Sequence, residues 1–223
     1  MSFSLIVPAS AHKVIYEEQL PEIFRLNNKG VSLCVDAIMG LDLGIFSHVY
    51  FTILHQHDML YGISAMLRIQ LDRIGLKNAK IVVLEHPTSS QVETIYQTIC
   101  KEHVSGPIFI KDADCSFSAE IYPQNGIVVY PLEKLTIVNP QHKSYVAVDD
   151  MSYITNTIEK RVIDHYFNAG GYCFDDASTF CHYYERYATQ QGLYLSHIVY
   201  AMLLDKQIFR PFIANCYKDM ELV

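Results

Sequence analysis

The sequence predicts an α/β fold built on a mixed, mainly parallel sheet. In the first half, short apolar runs alternate with segments whose apolar residues recur at helical spacing, the pattern of βαβ units. In the second half, two strands return on one another in hairpin fashion before the helices resume. Composition agrees: half of the 223 residues are hydrophobic and 18% are charged, so the chain can bury a full-sized core and does not read as disordered.

The opening strand is Phe3-Ser4-Leu5-Ile6-Val7, stopped at Pro8, with a loop to about Gln19. Leu33, Ala37, Ile38 and Leu41 share one side of a helix over Leu33 to Leu41. Val49 to Leu54 is the second strand. Tyr61 to Ile74 carries Ile63, Met66, Leu67, Leu71 and Ile74 at helical intervals, with Gly75 as the stop. Ile81 to Leu84 is the third strand, and Thr88 or Ser89 is expected to cap a helix reaching about Lys101. The fourth strand is Ile108 to Ile110. Gly126 to Tyr130, and the hairpin of Ser144 to Val148 with Tyr153 to Ile158, follow. A short strand Tyr172 to Phe174, helices over Ala177 to Gln190 and Leu195 to Leu204, and a strand Phe209 to Ala214 complete the pattern. With no linker, repeat or low-complexity tract, one domain is expected over residues 1–223.

Charge and cysteine usage narrow the function classes. A net charge of −7 argues against binding an extended nucleic acid, which needs phosphate neutralisation, yet leaves room for a single nucleotide. The six cysteines (Cys34, Cys100, Cys115, Cys173, Cys181, Cys216) form no C-x-x-C pair, and no secretory leader is read. Reduced thiols and a cytoplasmic location are therefore expected, with no structural zinc and no membrane span. His55, His57 and His86 lack partners at metal-ligand spacing. No cysteine has an evident histidine partner for nucleophilic catalysis.

The segment richest in chemistry is Gly106 to Cys115. Asp112 and Asp114 follow directly on the buried strand Ile108 to Ile110, at a C-terminal strand end, where open α/β sheets gather ligands. A carboxylate pair there suits Mg²⁺, which takes one or two carboxylates together with substrate phosphates.

Four segments in order resemble sugar nucleotidyltransferases, in particular the small bacterial members that make activated precursors for capsules and other surface polysaccharides. They are Leu5-Ile6-Val7-Pro8-Ala9-Ser10-Ala11-His12-Lys13, then Pro87-Thr88-Ser89-Ser90-Gln91-Val92-Glu93-Thr94, then Phe109 to Asp114. The last is Ile158-Glu159-Lys160 followed by Phe167-Asn168-Ala169-Gly170-Gly171-Tyr172. The resemblance implies a Rossmann-like three-layer fold of the nucleotide-diphospho-sugar transferase type. It also implies a reaction in which a phosphorylated acceptor attacks a nucleoside triphosphate, CTP or another, and pyrophosphate leaves. On that reading Asp114 and Asp219 hold Mg²⁺. Pro8, Ala9, Ser10, Thr88, Gln91, Thr94 and Asp112 meet the nucleotide, and Glu159, Lys160, Gly170 and Gly171 face the acceptor. Lys13, Asp114 and Lys160 carry the catalytic charges.

The phosphate-handling half departs from the family. Its glycine-rich loop ending in Arg stands here as Pro8-Ala9-Ser10-Ala11-His12-Lys13, where Lys13 supplies a point charge but no planar fork. The family's Pro-Lys pair is Pro21-Glu22, and the usual W-G-T after the late aspartate is Met220-Glu221-Leu222. Two alternatives stay open: a catalytically inactive relative that binds a nucleotide or phosphosugar or serves as a partner subunit, and a glycosyltransferase using Asp112-Ala113-Asp114 as its metal motif. The nucleobase, the acceptor and any homo-oligomer are open as well.

Overall fold

A computed structural model of the chain describes residues 2–10, 20–135 and 143–220. Its strands are β1 (Ser4–Pro8), β2 (His48–Leu54), β3 (Ala79–Leu84), β4 (Ile108–Lys111), β5 (Cys115–Ser118), β6 (Gly126–Pro131), β7 (Ser144–Val148), β8 (Ile154–Glu159), β9 (Tyr166–Phe174), β10 (Arg210–Ile213) and β11 (Asn215–Asp219). Its helices are α1 (Leu33–Asp36), α2 (His55–Tyr61), α3 (Ile63–Arg73), α4 (Gln91–Glu102), α5 (Ala177–Tyr187) and α6 (Leu195–Leu204).

Among the described residues the main sheet has nine strands. Its path runs β10-β6-β9-β4-β1-β2-β3, with β7 beside β9 and β8 beside β7. Pairing is parallel through β4-β1-β2-β3 and again at β10-β6. It is antiparallel wherever β9 takes part and in the β7-β8 hairpin. The expected mixed, mainly parallel sheet is therefore present.

Side-chain alternation along β1 places cores on both faces of the sheet. Leu5 and Val7 enter a cluster with Cys34, Val35, Ile63, Leu67 and Leu71 from α1 and α3. Ile6 joins the opposite cluster, with Val92, Ile95, Phe180, Ile198 and Val199 from α4, α5 and α6. Both faces are covered, so the parallel strands are apolar over most of their length, with Thr52 and Lys111 among the buried exceptions. No helix among the described residues is long and apolar enough to cross a membrane.

Several elements differ from expectation for identifiable reasons. The helix expected over Tyr61 to Ile74 is two helices. Gly62 takes a left-handed φ of 64° that ends α2, and the Asp58 carboxylate accepts from the Ser64 amide at 2.7 Å at the start of α3. The cap of α4 is Ser90, one or two residues later than expected: its Oγ accepts from the Glu93 amide at 3.1 Å. The segment Leu33 to Leu41 is helical only over α1, one turn, before turns take over.

The largest difference is β9, nine residues long where three were expected. Gly170-Gly171 reads as a loop but lies within the strand. Its register against β6 shifts between Ile127 and Val129, a bulge with Gly170 at φ 88°. The two-stranded sheet of β5 with β11 was not expected at all; its strands are short, and only their pairing defines them.

Candidate active site

The strand order reverses around β1. The chain steps outward through β2 and β3, then crosses back by α4 to β4 on the other side of β1. The crevice beyond the C-terminal ends of β1 and β4 is therefore the topological switch point, where α/β sheets place ligands. Pro8, Ala9 and Ser10 leave one of these strand ends, and Asp112, Ala113 and Asp114 leave the other.

Two cavities open there, and Gln91, Asp112 and Asp114 line both. The first, about 160 Å³, is completed by β7, β8, β9, the start of α6 and β11, through Lys143, Ser144, Glu159, Asn168, Gly170, Tyr172, Tyr194 and Tyr217. The second, about 300 Å³, is completed by Pro8, Ser10, Ile23 and Ala113. The two aspartates stand as a shared wall.

The turn that carries them is fastened from behind. Lys111 ends β4 with 0% exposure, and its ammonium donates to the Asp112 carbonyl at 2.7 Å and the Cys115 carbonyl at 2.8 Å. It also lies 3.1 Å from Cys115 Sγ and 4.6 Å from the centre of the Phe117 ring. Burial pushes the Cys115 thiol up to about 12 against the pull of that ammonium. The neutral thiol donates to the Ala169 carbonyl at 3.1 Å.

Asp112 is held on three sides. Its amide donates to the Gly170 carbonyl at 2.9 Å, and the Gln91 side-chain amide donates to its Oδ1 at 2.7 Å. Burial, then the neighbouring charge of Asp114, raises its carboxyl to about 6, against the opposing pull of Lys111. Gly170 is required by this arrangement. A Cβ there would stand 2.4 Å from Cys115 Sγ and 3.1 Å from Asp112 Oδ2, on a backbone that side chains rarely adopt. Asn168 secures the bulge, its Oδ1 accepting from the Gly170 amide at 2.8 Å and the Gly171 amide at 3.2 Å.

On the far wall of the first cavity, Glu159 Oε2 accepts from the hydroxyls of Ser144 and Ser196, the latter at 2.9 Å. Lys143 donates to Asp219 Oδ2 at 2.6 Å and to the Tyr217 hydroxyl at 2.8 Å. Burial works to lower the Lys143 pKa, but its bond to Asp219 and that carboxylate's charge outweigh it, so the net shift is upward and the ammonium stays protonated. Burial raises the phenols of Tyr172 and Tyr217, leaving them as neutral hydroxyls.

The residues expected at the site separate into three groups. Asp112, Asp114, Gln91, Glu159 and Gly170 come together around the first cavity, and Pro8 and Ser10 line the second. Asp219 is brought beside Asp114 by the β5-β11 pairing, through the Met220 amide that donates to the Asp114 carbonyl at 2.9 Å, but its carboxylate holds Lys143.

A second group lies off the cavities. Thr94 is fully buried, and its hydroxyl sits 2.7 Å from that of Ser10 and 2.6 Å from that of Thr88. These hydroxyls tie α4 to the end of β1. Ala9 is buried, its amide donating to the Thr52 carbonyl at 2.8 Å. Gly171 packs inward, where a Cβ would meet Val128 at 2.5 Å. Lys160 is exposed, with a left-handed φ of 60°, and is not among the lining residues, though it donates at 2.9 Å to the hydroxyl of Tyr194, which is.

The third group is Lys13 alone, which lies outside the described residues. Residue-level reasoning missed Lys111, Lys143, Ser144 and Ser196. Of these, only Lys111 carries a legible signal, a lysine continuing an otherwise apolar strand.

No protein-family model matches this chain, and no curated protein matches it in sequence. Solved structures do match along nearly the whole chain. A nucleoside-diphosphate-sugar pyrophosphorylase from Vibrio cholerae RC9 superposes with a TM-score of 0.73 at 14% identity, over 97% of this chain and 95% of that one. The inositol-1-phosphate CTP transferase from T. maritima gives 0.73 at 16% identity, over 97% and 88%. A protein from Bacillus anthracis assigned as a glucose-1-phosphate thymidylyltransferase gives 0.74 at 13% identity, over 98% and 89%. The chain therefore has the nucleotide-diphospho-sugar transferase fold.

Proposed function

We propose that this protein is a nucleotidyltransferase, moving a nucleotidyl group from CTP or another nucleoside triphosphate onto a phosphorylated small-molecule acceptor with release of pyrophosphate. The observation that carries the reading is the pair of cavities sharing Asp112, Asp114 and Gln91 as a common wall at the switch point. Transfer between two bound molecules needs two adjoining sites with the reacting groups meeting at their boundary. Solved relatives in fold that act on nucleotides and sugar phosphates support the same reading. Synthesis of surface-polysaccharide precursors is the proposed setting, in the cytoplasm.

The second cavity takes the triphosphate. Pro8 and Ser10 line it, and Lys13, outside the described residues, is assigned the charge that the family's arginine would bring. Thr88 and Thr94 act from behind, holding Ser10 in place. The first cavity takes the acceptor, with Glu159 accepting a hydroxyl while its two serines fix its orientation.

The donor set fits Mg²⁺. Asp112 and Asp114 offer hard carboxylate oxygens, and burial followed by the charge of Asp114 disfavours the ionised Asp112 carboxylate, which a cation would offset. These two residues would hold the ion, while Asp219, which the resemblance placed in the metal set, is engaged by Lys143. An ion held there would supply positive charge against the negative charge gathering on the phosphates. Lys111 and Gln91 keep the carboxylates oriented.

The test is a thermal-shift screen with CTP, UTP, dTTP, ATP and GTP, each with and without Mg²⁺, followed by a pyrophosphate-release assay across phosphorylated acceptors. A Mg²⁺-dependent shift with one triphosphate is the expected result, since a ligand binding only the folded state raises stability according to its concentration over Kd. The glycine-free segment Pro8 to Lys13 favours a second reading, a relative that binds without turning over. It predicts the shift without pyrophosphate release. Sugar transfer from a nucleotide sugar with no pyrophosphate released would instead identify a glycosyltransferase.

A further inference from the structure

We propose that Lys143 is the side chain that receives the phosphate group of the acceptor, in place of Lys160. This inference rests on the transferase reading above and concerns its acceptor cavity. Lys143 is the one cationic side chain among the described residues lining that cavity.

The two lysines stand at the open end of the same hairpin. Ser144 pairs with Glu159 across β7 and β8, and just beyond them the Lys160 amide donates to the Lys143 carbonyl at 2.9 Å. Like charges directly opposite on antiparallel strands repel. Here the left-handed backbone at Lys160 turns its chain out of the hairpin, and its ammonium settles on the Tyr194 hydroxyl at the surface. That leaves the cavity to Lys143.

Lys143 is set up to hold an anion. Its side chain is 18% exposed and that of Asp219 is 17%, so the pair is partly withdrawn from water without being sealed from it. The Phe167 ring centre lies 6.0 Å from the ammonium and the Tyr217 ring centre 5.5 Å. Those faces and the Tyr217 hydroxyl restrict where the stem can go. An ammonium has three donors. Asp219 and Tyr217 take two of them, which leaves one for an oxygen arriving through the cavity.

Asp112 and Asp114 lie within electrostatic reach of Lys143. A phosphate oxygen held by Lys143 therefore lies on the acceptor side of the carboxylate wall, with the triphosphate on the other. The acceptor class that fits is a hydroxylated phosphomonoester, its phosphate at Lys143 and a hydroxyl at Glu159.

The experiment titrates inorganic phosphate into the protein and follows it by ³¹P NMR. Lys143→Met combined with Asp219→Asn removes both partners, so that no lone charge is left in the pocket. We expect that variant to bind phosphate about 10–100-fold more weakly, the usual worth of a charge-assisted hydrogen bond. Lys143→Arg keeps a phosphate-binding cation and stays within about threefold of wild type, and Lys160→Ala within about twofold.

A second measurement needs no folded double variant. Wild-type protein with ¹³C-methyl groups on its lysines, which preserve the charge, should show the Lys143 signal moving with phosphate while the Lys160 signal stays. The Lys143 signal is assigned by its loss in Lys143→Arg. Undiminished binding in the double variant, or a Lys160 signal that moves in place of Lys143, overturns the proposal. The triphosphate screen reports separately on the parent reading. Triphosphate binding with phosphate binding that ignores Lys143 would remove this inference and leave the transferase. Phosphate held by Lys143 in a protein that responds to no triphosphate would remove the transferase and leave the anion site.

Discussion

The two cavities that meet at Asp112 and Asp114 are built on different principles. The first is lined by carboxylates, tyrosines and a lysine, and nearly every polar group there is tied to a neighbour. Glu159 has its serines, Lys143 its aspartate and phenol, and Asn168 the amides of a strand bulge. The other cavity is lined beyond the shared wall by Pro8, Ser10, Ile23 and Ala113, with little fixed charge. Preorganised dipoles and charges cost no reorganisation at the moment of reaction. Orientation is thus built into the cavity proposed for the acceptor, whereas the one proposed for the triphosphate would rely on what the shared carboxylates recruit.

Removing the shared wall should have the largest effect. Asp114→Asn is expected to lower pyrophosphate release by about 10²–10⁴-fold, the range for losing a charged group that acts on the transferring phosphate. Turnover unchanged within about threefold in a steady-state assay would separate Asp114 from both cavities.

Gly170→Ala tests how closely the acceptor side is packed. The added methyl would lie 2.4 Å from Cys115 Sγ at a φ of 88°, so a loss of about 2–4 kcal/mol in urea unfolding is expected. A loss below about 0.5 kcal/mol would mean that the Asp112 turn yields easily and is not preorganised.

Asp112 makes the comparison sensitive to pH. Its folded carboxyl titrates at about 6, above the ordinary 3.8, so between those values the native state binds more protons than the unfolded chain. Stability therefore falls as pH rises from about 4 to about 6 and levels off above. A shift of that size is worth at most about 3 kcal/mol. Asp112→Asn should flatten that slope in urea midpoints measured from pH 4 to 7, and an unchanged slope would assign it elsewhere.

Thr94→Val addresses the triphosphate side. Losing the hydroxyl between Ser10 and Thr88 should cost about 1–2 kcal/mol and weaken triphosphate binding through Ser10. Equal loss of stability with undisturbed triphosphate affinity would confine the hydroxyls to holding α4. The smallest effect is expected from Lys160→Ala, within about 0.5 kcal/mol in stability, because its bond to Tyr194 is at the surface.

How legible the fold was depended on how local its signals are. The strands β1 to β4 and the helices α4 and α6 announce themselves through periodicity, because each side chain's environment follows from its own neighbours in sequence. The Asp112-Ala113-Asp114 turn was legible for the same reason, a carboxylate pair directly after a buried strand. β9 was not, because Gly170-Gly171 reads as a loop until β4 and β6 on either side hold it as a bulged strand. β5 and β11 become strands only by pairing with each other across about a hundred residues.

What the sequence by itself determined is the α/β class, the apolar faces of its parallel half and the carboxylate pair at the end of β4. These depend on period, strand ends and residue type. Only the tertiary structure decided which charges meet there. It seats Lys143 against Asp219, turns Lys160 outward, buries Thr94 and slides Lys111 beneath the aspartate turn. A charge's partner is set by distance through space, and a single left-handed residue such as Lys160 can redirect it without leaving any mark in composition or spacing.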